Sequence, residues 1–423
     1  MKKVKLCLML FLVFAAVIAL PGPGQAAEQP AAEIAVLVDG LKLDLDVAPV
    51  IQNDRLMIPF RKIAEDLNVN VDWDGSEQKI TAGDGKNTVI MFVDNEYAWV
   101  NDMKTKLDAK PVVSGGRTLI PARFFSETFG CSVDWSAGTR TVIISSPAKS
   151  MQVTGFYALG DSKTSSWTDL FSTAYPAAGE GNTGMISELA LGWYSLDEQG
   201  NLLTRSTTGW QRPDSWETVI DAARQYNMKT EMVVHITDGG GQLTRLLNNA
   251  GSVATAIIAI KKEAELYGGV NLDFEGLGWN DDAEQLAQTR AAFSSFVRLL
   301  AGELKKNNLQ LTLTLHAPNS SYLGYDYADL GKTADYIIVM AYDYGSKPES
   351  VTKIKQAIEM ATISVPAEKL LLGISVVGET PESIKTITGL AKRYNLGGIA
   401  LWRLGLLNSG MWDALEESVI KAK

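Results

Sequence analysis

The chain has 423 residues, 46% of them hydrophobic and 21% charged, and a formal net charge of −10. That balance excludes whole-chain disorder, a collagen-like fibre and a multi-span membrane protein. The excess of acid argues against nucleic acid and anionic lipid as partners. Two histidines (His235 and His316) and two cysteines (Cys7 and Cys131) are too few for a zinc cluster, a three-histidine copper site or, with Cys7 in a leader, an intrachain disulfide. G-x-S-x-G and Walker A motifs are both missing, so the expectation is no metal and no cofactor.

Residues 1–26 read as a signal peptide. Lys2, Lys3 and Lys5 precede an apolar run from Leu6 to Leu20, Pro21-Gly22-Pro23-Gly24 breaks any helix, and Gly24 and Ala26 suit cleavage before Ala27. Fifteen apolar residues fall short of the roughly 20 that span a bilayer, although an uncleaved anchor is the alternative. The expectation is a secreted, extracellular or cell-wall-associated protein with no membrane attachment after cleavage.

Residues 33–147 carry an internal repeat with an offset of 62. Pro49, Arg55, Ile58, Pro59, Arg61, Glu65, Val71, Asp72 and Trp73 return as Pro111, Arg117, Ile120, Pro121, Arg123, Glu127, Val133, Asp134 and Trp135. Each unit reads as a turn, a short helix opened by proline, and a strand ending in Asp-Trp. The doubled pattern resembles the stalk-type domain named after the N-terminal domain of copper amine oxidases. This stretch has no histidine, so the name carries no implication of copper. Arg, Glu and Trp either hold two α+β units together or serve a module for a cell-wall polymer.

After Ser145-Ser146-Pro147 the pattern changes. Eight apolar runs alternate with amphipathic stretches: Val153–Tyr157, Glu188–Trp193, Thr230–Ile236, Val270–Phe274, Leu311–Leu315, Tyr336–Ala341, Leu370–Val377 and Gly398–Trp402. That alternation over residues 151–423 predicts an α/β fold, a (β/α)8 TIM barrel preceded by the smaller α+β domain; a doubly wound open sheet is the alternative. The fourth run, Val270-Asn271-Leu272-Asp273-Phe274-Glu275, places Asn271, Asp273 and Glu275 on one face by strand alternation. Two carboxylates and an amide inside a barrel are costly to bury unless they open on a site, and such a pair splits its pKa values into an acid and an ion.

This run resembles the D-G-x-D-I-D-W-E strand of glycoside hydrolase family 18, the chitinase-like family, whose fold is this barrel. Met340-Ala341-Tyr342-Asp343 is similar to that family's sixth-strand M-x-Y-D motif. Gly398–Arg403 is similar to its eighth-strand segment bearing the tryptophan floor. The resemblance implies an exported glycosidase, of the chitinase or N-acetylglucosaminidase type, cleaving β-1,4 linkages at N-acetylglucosamine in chitin-like or peptidoglycan glycans by substrate-assisted retaining catalysis. It implies Glu275 as general acid and base, Asp273 orienting the acetamido N–H, Tyr342 bonding the acetamido oxygen, and Trp402 under the sugar, with Met340 and Asp343 completing the subsite.

Two positions depart from the pattern: Gly268 and Asn271 stand where the family has aspartates. Asn271 marks the branch that resembles spore-cortex and cell-wall N-acetylglucosaminidases. An amide there can still hydrogen-bond Asp273, but without like-charge repulsion the pKa of Asp273 need not rise. The alternative is a non-catalytic glycan-binding protein on the same barrel. Trp193, taken to follow the second strand, is a further expected sugar platform. His316 either lines the site or is a satisfied barrel histidine, and His235 poses the same choice, with core packing the favoured reading. The short connection between the seventh and eighth runs predicts a shallow, open groove.

Overall fold

The computed structural model describes residues 34–158, 164–205 and 211–422, so the expected signal peptide lies outside the described residues. Among these, no helix is long and apolar enough to cross a membrane.

The N-terminal part is β-rich, with elements between Ala35 and Ser145. Its strands make a five-stranded antiparallel meander over residues 70–106 and two four-stranded sheets. In one of those sheets Arg55–Pro59 and Arg117–Pro121 pair antiparallel at its centre, with Ile58 opposite Ile120. Each of these strands runs straight into a seven-residue helix, Phe60–Asp66 or Ala122–Thr128, behind a proline at the boundary. The core beneath is apolar and includes Ile58, Ile63, Ile120, Phe125 and the free thiol of Cys131, which burial pushes up to about 12.

Eight parallel strands follow: β1 (Lys149–Tyr157), β2 (Glu188–Leu196), β3 (Lys229–Thr237), β4 (Gly269–Glu275), β5 (Gln310–His316), β6 (Tyr336–Met340), β7 (Leu370–Ser375) and β8 (Gly398–Trp402). β1 pairs with both β2 and β8, which closes the sheet into a barrel. Helices lie between the strands and start at strong caps. Asp282 and Thr380 open capping boxes at helices Ala283–Lys305 and Pro381–Arg393, and Ser350 caps Val351–Thr362. Only the helix Pro381–Arg393 lies between β7 and β8.

Strand alternation sorts the barrel's two faces. Leu272 and Phe274 on β4 face the helical layer, where Phe274 packs on Phe293 and Phe296. The interior holds a small apolar layer of Phe156, Ala190, Val233, Ile338, Leu371 and Ala400. At the N-terminal end of the strands is a polar floor. There Gln152 donates to Glu188 (2.7 Å), and Gln310 and Thr312 donate to Glu231. Burial pushes Glu188 up to about 7 and raises Glu231, which also feels Glu188, well above the carboxylate range.

Trp193 is not at the end of a strand. β2 runs three residues past it, and a register irregularity between Leu191 and Tyr194 sets its face. The ring is 1% exposed, between Tyr157 (6.4 Å) and Trp216 (6.3 Å), as part of the main core. The sugar platform expected of Trp193 is therefore corrected to core packing.

Candidate active site

At the C-terminal mouth of the barrel, β4 delivers Asp273 and Glu275 into a cavity of about 590 Å³. Thr314 and His316 of β5, Met340 of β6, Tyr342 and Asp343 just beyond it, and Trp402 of β8 share its wall. These are the C-terminal strand ends at which barrel enzymes gather their chemistry. Glu275, Asp273, Tyr342, Met340, Asp343 and Trp402 are thus brought together, whereas Asn271 lies deeper and Trp193 lies outside.

The carboxylates are held by their neighbours. His235 Nε2 lies 3.3 Å from Glu275 Oε1, and His316 Nε2 lies 3.8 Å from Glu275 Oε2. Both histidines belong to the site, and the core-packing reading of His235 is corrected: it sits one strand away, paired in register with Asp273. The carbonyl of Phe274 accepts from Tyr325 (2.7 Å), and the Leu277 N–H donates to the same hydroxyl (3.4 Å), bracing the end of β4.

Burial raises Asp273, and the charge of Glu275 raises it further; His235 only partly offsets this, and Asp273 is pushed up to about 8. Glu275 goes the other way. Burial would raise it, but the hydrogen bond from His235 and the charges of His235 and His316 hold it below the ordinary glutamate value. The pair therefore carries a single proton near neutrality, and that proton rests on Asp273. His235 is disfavoured as a cation by burial, yet its bond to Glu275 and the nearby carboxylates raise it overall. Burial and the surrounding carboxylates drive the Tyr342 phenol far above its usual range, so it remains an O–H donor. One carboxyl oxygen of Asp273, Oδ1, is buried without a hydrogen-bond partner.

Asn271 is fully buried but does not reach Asp273 by any hydrogen bond. Its Nδ2 donates to Glu231 (3.2 Å), and its Oδ1 accepts from Thr314 (2.8 Å). The bond to Asp273 open to an amide at 271 is thus not made, and Asp273 is raised without a carboxylate there: burial and Glu275 suffice. The three donor atoms of His235, Asp273 and Glu275 lie within 4.8 Å of one another.

Phe156, Trp279, Asn319, Tyr322 and Tyr344 in this cavity, and Glu349 beside it, escaped sequence reasoning. Trp402 packs edge-on against Phe156 (5.3 Å), and the Trp402–Arg403 peptide is cis. His316 stacks on Tyr322 (4.0 Å, 24°), which in turn packs on Trp279 (5.1 Å), a ring 54% exposed. These three rings form a rail leading away from Glu275. Buried Glu349 accepts from the backbone N–H groups of Asp343 (2.7 Å) and Tyr344 (3.3 Å), fixing the loop after β6, where Asp343 takes φ 62°. Tyr344 donates to Asn319 (2.8 Å) across the groove. Aromatic residues after strand ends were the available signal for Trp279 and Tyr322; for Glu349, which acts through backbone, no sequence signal exists.

A closed parallel barrel with a buried one-proton carboxylate pair at its C-terminal mouth defines a class: (β/α)8 proteins equipped for acid–base chemistry. The family model for glycosyl hydrolases family 18 matches residues 162–380, just over half of the chain, and the chain belongs to that family. The model for the copper amine oxidase N-terminal domain matches residues 37–144. Among curated relatives, the "Putative sporulation-specific glycosylase YdhD" of Bacillus subtilis is 29% identical over 181 residues, 40% of this chain and 39% of that protein. The "Cortical fragment-lytic enzyme" of the same species is 28% identical over 153 residues, 32% and 33% of the two chains. The match thus spans well under half of either relative. Among solved structures, a chitinase from Chromobacterium violaceum (19% identity, TM-score 0.52) covers 63% of this chain and 98% of its own. The Bacillus cereus spore cortex-lytic enzyme SleL (16%, TM-score 0.53) covers 66% and 77%. Both share the fold.

Proposed function

We propose that the protein is an exported glycosidase that cleaves β-1,4 linkages at N-acetylglucosamine in peptidoglycan or a chitin-like glycan, by substrate-assisted retaining catalysis. The observation that carries this reading is the Asp273–Glu275 pair in the wall of the cavity, with Asp273 Oδ1 buried and without a hydrogen-bond partner. An acetamido N–H arriving at that oxygen supplies the missing hydrogen bond and favours the carboxylate form of Asp273. The proton then belongs on Glu275, where it serves the departing glycosidic oxygen. Substrate binding itself loads the acid. Asp273 next steadies the positive charge that grows as the acetamido oxygen closes on the anomeric carbon, and Tyr342 donates to that oxygen. Glu275, now ionised, takes the proton of the water that opens the intermediate.

Trp402, with Phe156 behind it, offers the ring face on which the sugar sits, flanked by Met340 and Asp343. The His316–Tyr322–Trp279 rail supplies stacking surface for further sugars. Asn271 acts from below by tying β4 to β3 and β5. The set of His235, Asp273 and Glu275 also has the composition of a cation site, but a cation there needs Asp273 ionised, against the burial that keeps it protonated. Family relatives named for sporulation and cortex lysis favour a wall glycan over crystalline chitin, as does the single helix between β7 and β8, which leaves the groove open. Export is proposed from the Lys2–Ala26 leader.

The test is mass spectrometry of purified peptidoglycan and N-acetylchitooligosaccharides incubated with the protein and with Glu275→Gln. The expected result is cleavage that survives a chelator and falls about 1,000-fold in the variant, within the range of a general acid–base residue. Binding without products from either glycan, in the unsubstituted protein, would establish the glycan-binding alternative instead.

A further inference from the structure

The N-terminal β-rich part has two cavities of its own, of about 640 and 600 Å³. Every residue lining the smaller has its counterpart, 62 positions away in the sequence, lining the larger. The pairing of Ile58 with Ile120 explains this: the two central strands cross about a local twofold axis. Each strand thereby brings its leading arginine to the helix of the other half. Arg55 faces helix Ala122–Thr128 with Arg123, Glu127 and Trp135, and Arg117 faces helix Phe60–Asp66 with Arg61, Glu65 and Trp73.

Which identities the two halves keep is informative. Asp44/Lys106, Phe60/Ala122, Lys62/Phe124 and Thr118/Leu56 differ in chemistry between the cavities, whereas both arginines, the helix glutamate, the aspartate that pairs with the strand arginine and the tryptophan are the same in both. Folding does not demand most of these. The Arg55–Asp108 (2.8 Å) and Arg117–Asp46 (2.6 Å) pairs are 42–68% exposed, as is the 3.6 Å Arg123–Glu127 pair, and exposed pairs add little stability. Trp135 is 46% exposed. A ring face beside fixed Arg–carboxylate pairs offers stacking together with paired donors and acceptors, which is how hydroxyl-rich rings are held. The charges nearly cancel, with three basic and four acidic side chains in one cavity and three of each in the other, which favours an uncharged ligand over a polyanion or polycation.

We propose that these cavities are a symmetric pair of binding sites for an uncharged glycan chain, so that the N-terminal part holds the polymer at two points. This inference does not depend on the chemistry of the barrel. Two linked sites raise retention on a polymer far above that of either alone.

The test uses the full chain carrying Glu275→Gln, so that the probe is not consumed, and chitin beads as the probe. Arg123→Met with Trp135→Ala, and Arg61→Met with Trp73→Ala, are each expected to weaken retention about tenfold or more, and the four changes together to leave only what the barrel supplies. In the chain with Glu275 intact, the same four changes should leave turnover of a short soluble substrate unaltered, which separates this proposal from the reading of the barrel. As a check independent of variants, N-acetylchitohexaose should slow hydrogen exchange in residues 59–65 and 121–127. Undiminished retention by the variants, unprotected helices, or retention on a polyphosphate but not on chitin would each overturn the proposal.

Discussion

Asp273 and Glu275 are two residues apart on one strand, so neither can leave the other's field. Near neutrality they share one proton, and a rising pH removes it as the solution passes the value of about 8 to which Asp273 is pushed. The sign follows directly: the raised group keeps its proton below that pH and loses it above, and a doubly ionised pair has no acid to offer. Accordingly, kcat/KM should fall on the alkaline side with a midpoint near 8, while on the acid side activity should persist below the ordinary glutamate range, because Glu275 is held low. A pH–rate profile on a short soluble substrate reads both limbs.

One layer down, the amide at 271 faces Glu231 and not another acid. Asn271→Asp would set a further carboxyl against Glu231, which already feels Glu188, and remove the N–H that Glu231 now accepts. It should cost about 2–3 kcal/mol in denaturant titrations. Adding Glu231→Gln exchanges acid and amide across the pair and should recover at least half of that loss, a coupling that a double-mutant cycle measures. The role of Asn271 was not legible in the chain, because Glu231 is 40 residues away and only the register of β3 with β4 brings it alongside. Asp273 and Glu275 were legible because alternation within one strand needs no partner to place them.

At the scale of elements, periodicity carried the barrel well. The fourth and eighth strands fall within a residue of where the apolar pattern puts them. Alternation failed at β2, where an irregular register and burial of both faces remove the polar signal that marks a strand's end, and Trp193 was misplaced as a result. The rail of His316, Tyr322 and Trp279 draws on β5 and two loops, so no single window contains it.

Helix Pro381–Arg393 shows the same dependence on distant partners. Lys392, nearly buried, reaches Asp39 (3.3 Å) and the carbonyl of Ser146 (3.2 Å), its own carbonyl accepts from Asn68 (2.9 Å), and Arg393 pairs with Asp66 (2.5 Å). This helix therefore docks the N-terminal part on the barrel through charges that have little water to return to. Lys392→Met, which leaves Asp39 facing an apolar side chain, should lower stability by roughly 3 kcal/mol in guanidinium titrations. If the two parts then unfold separately, two transitions will replace one.

Taken whole, the molecule carries −10, and without residues 1–26, whose only charged side chains are three lysines, the balance is −13. A chain so acidic gains nothing from general electrostatic attraction to an acidic wall, and any hold on a polymer must come from stacking and short hydrogen bonds in its cavities. Those forces respond weakly to ions, whereas contacts to a polyanion lose orders of magnitude in affinity as counterions compete. Retention of the Glu275→Gln protein on chitin should therefore change less than about twofold between 50 and 500 mM NaCl. Salt should even help slightly on an anionic wall polymer, by screening the repulsion between the protein's net charge and the polymer's own. A steep fall with salt on either matrix would mean that a local basic surface, and not the paired cavities or the barrel mouth, makes the contact. Because the paired cavities are nearly balanced in charge, and the barrel mouth sets its rings and hydroxyls beside carboxylates with no lysine or arginine among the described residues of its lining, the weak dependence is the outcome their chemistry requires.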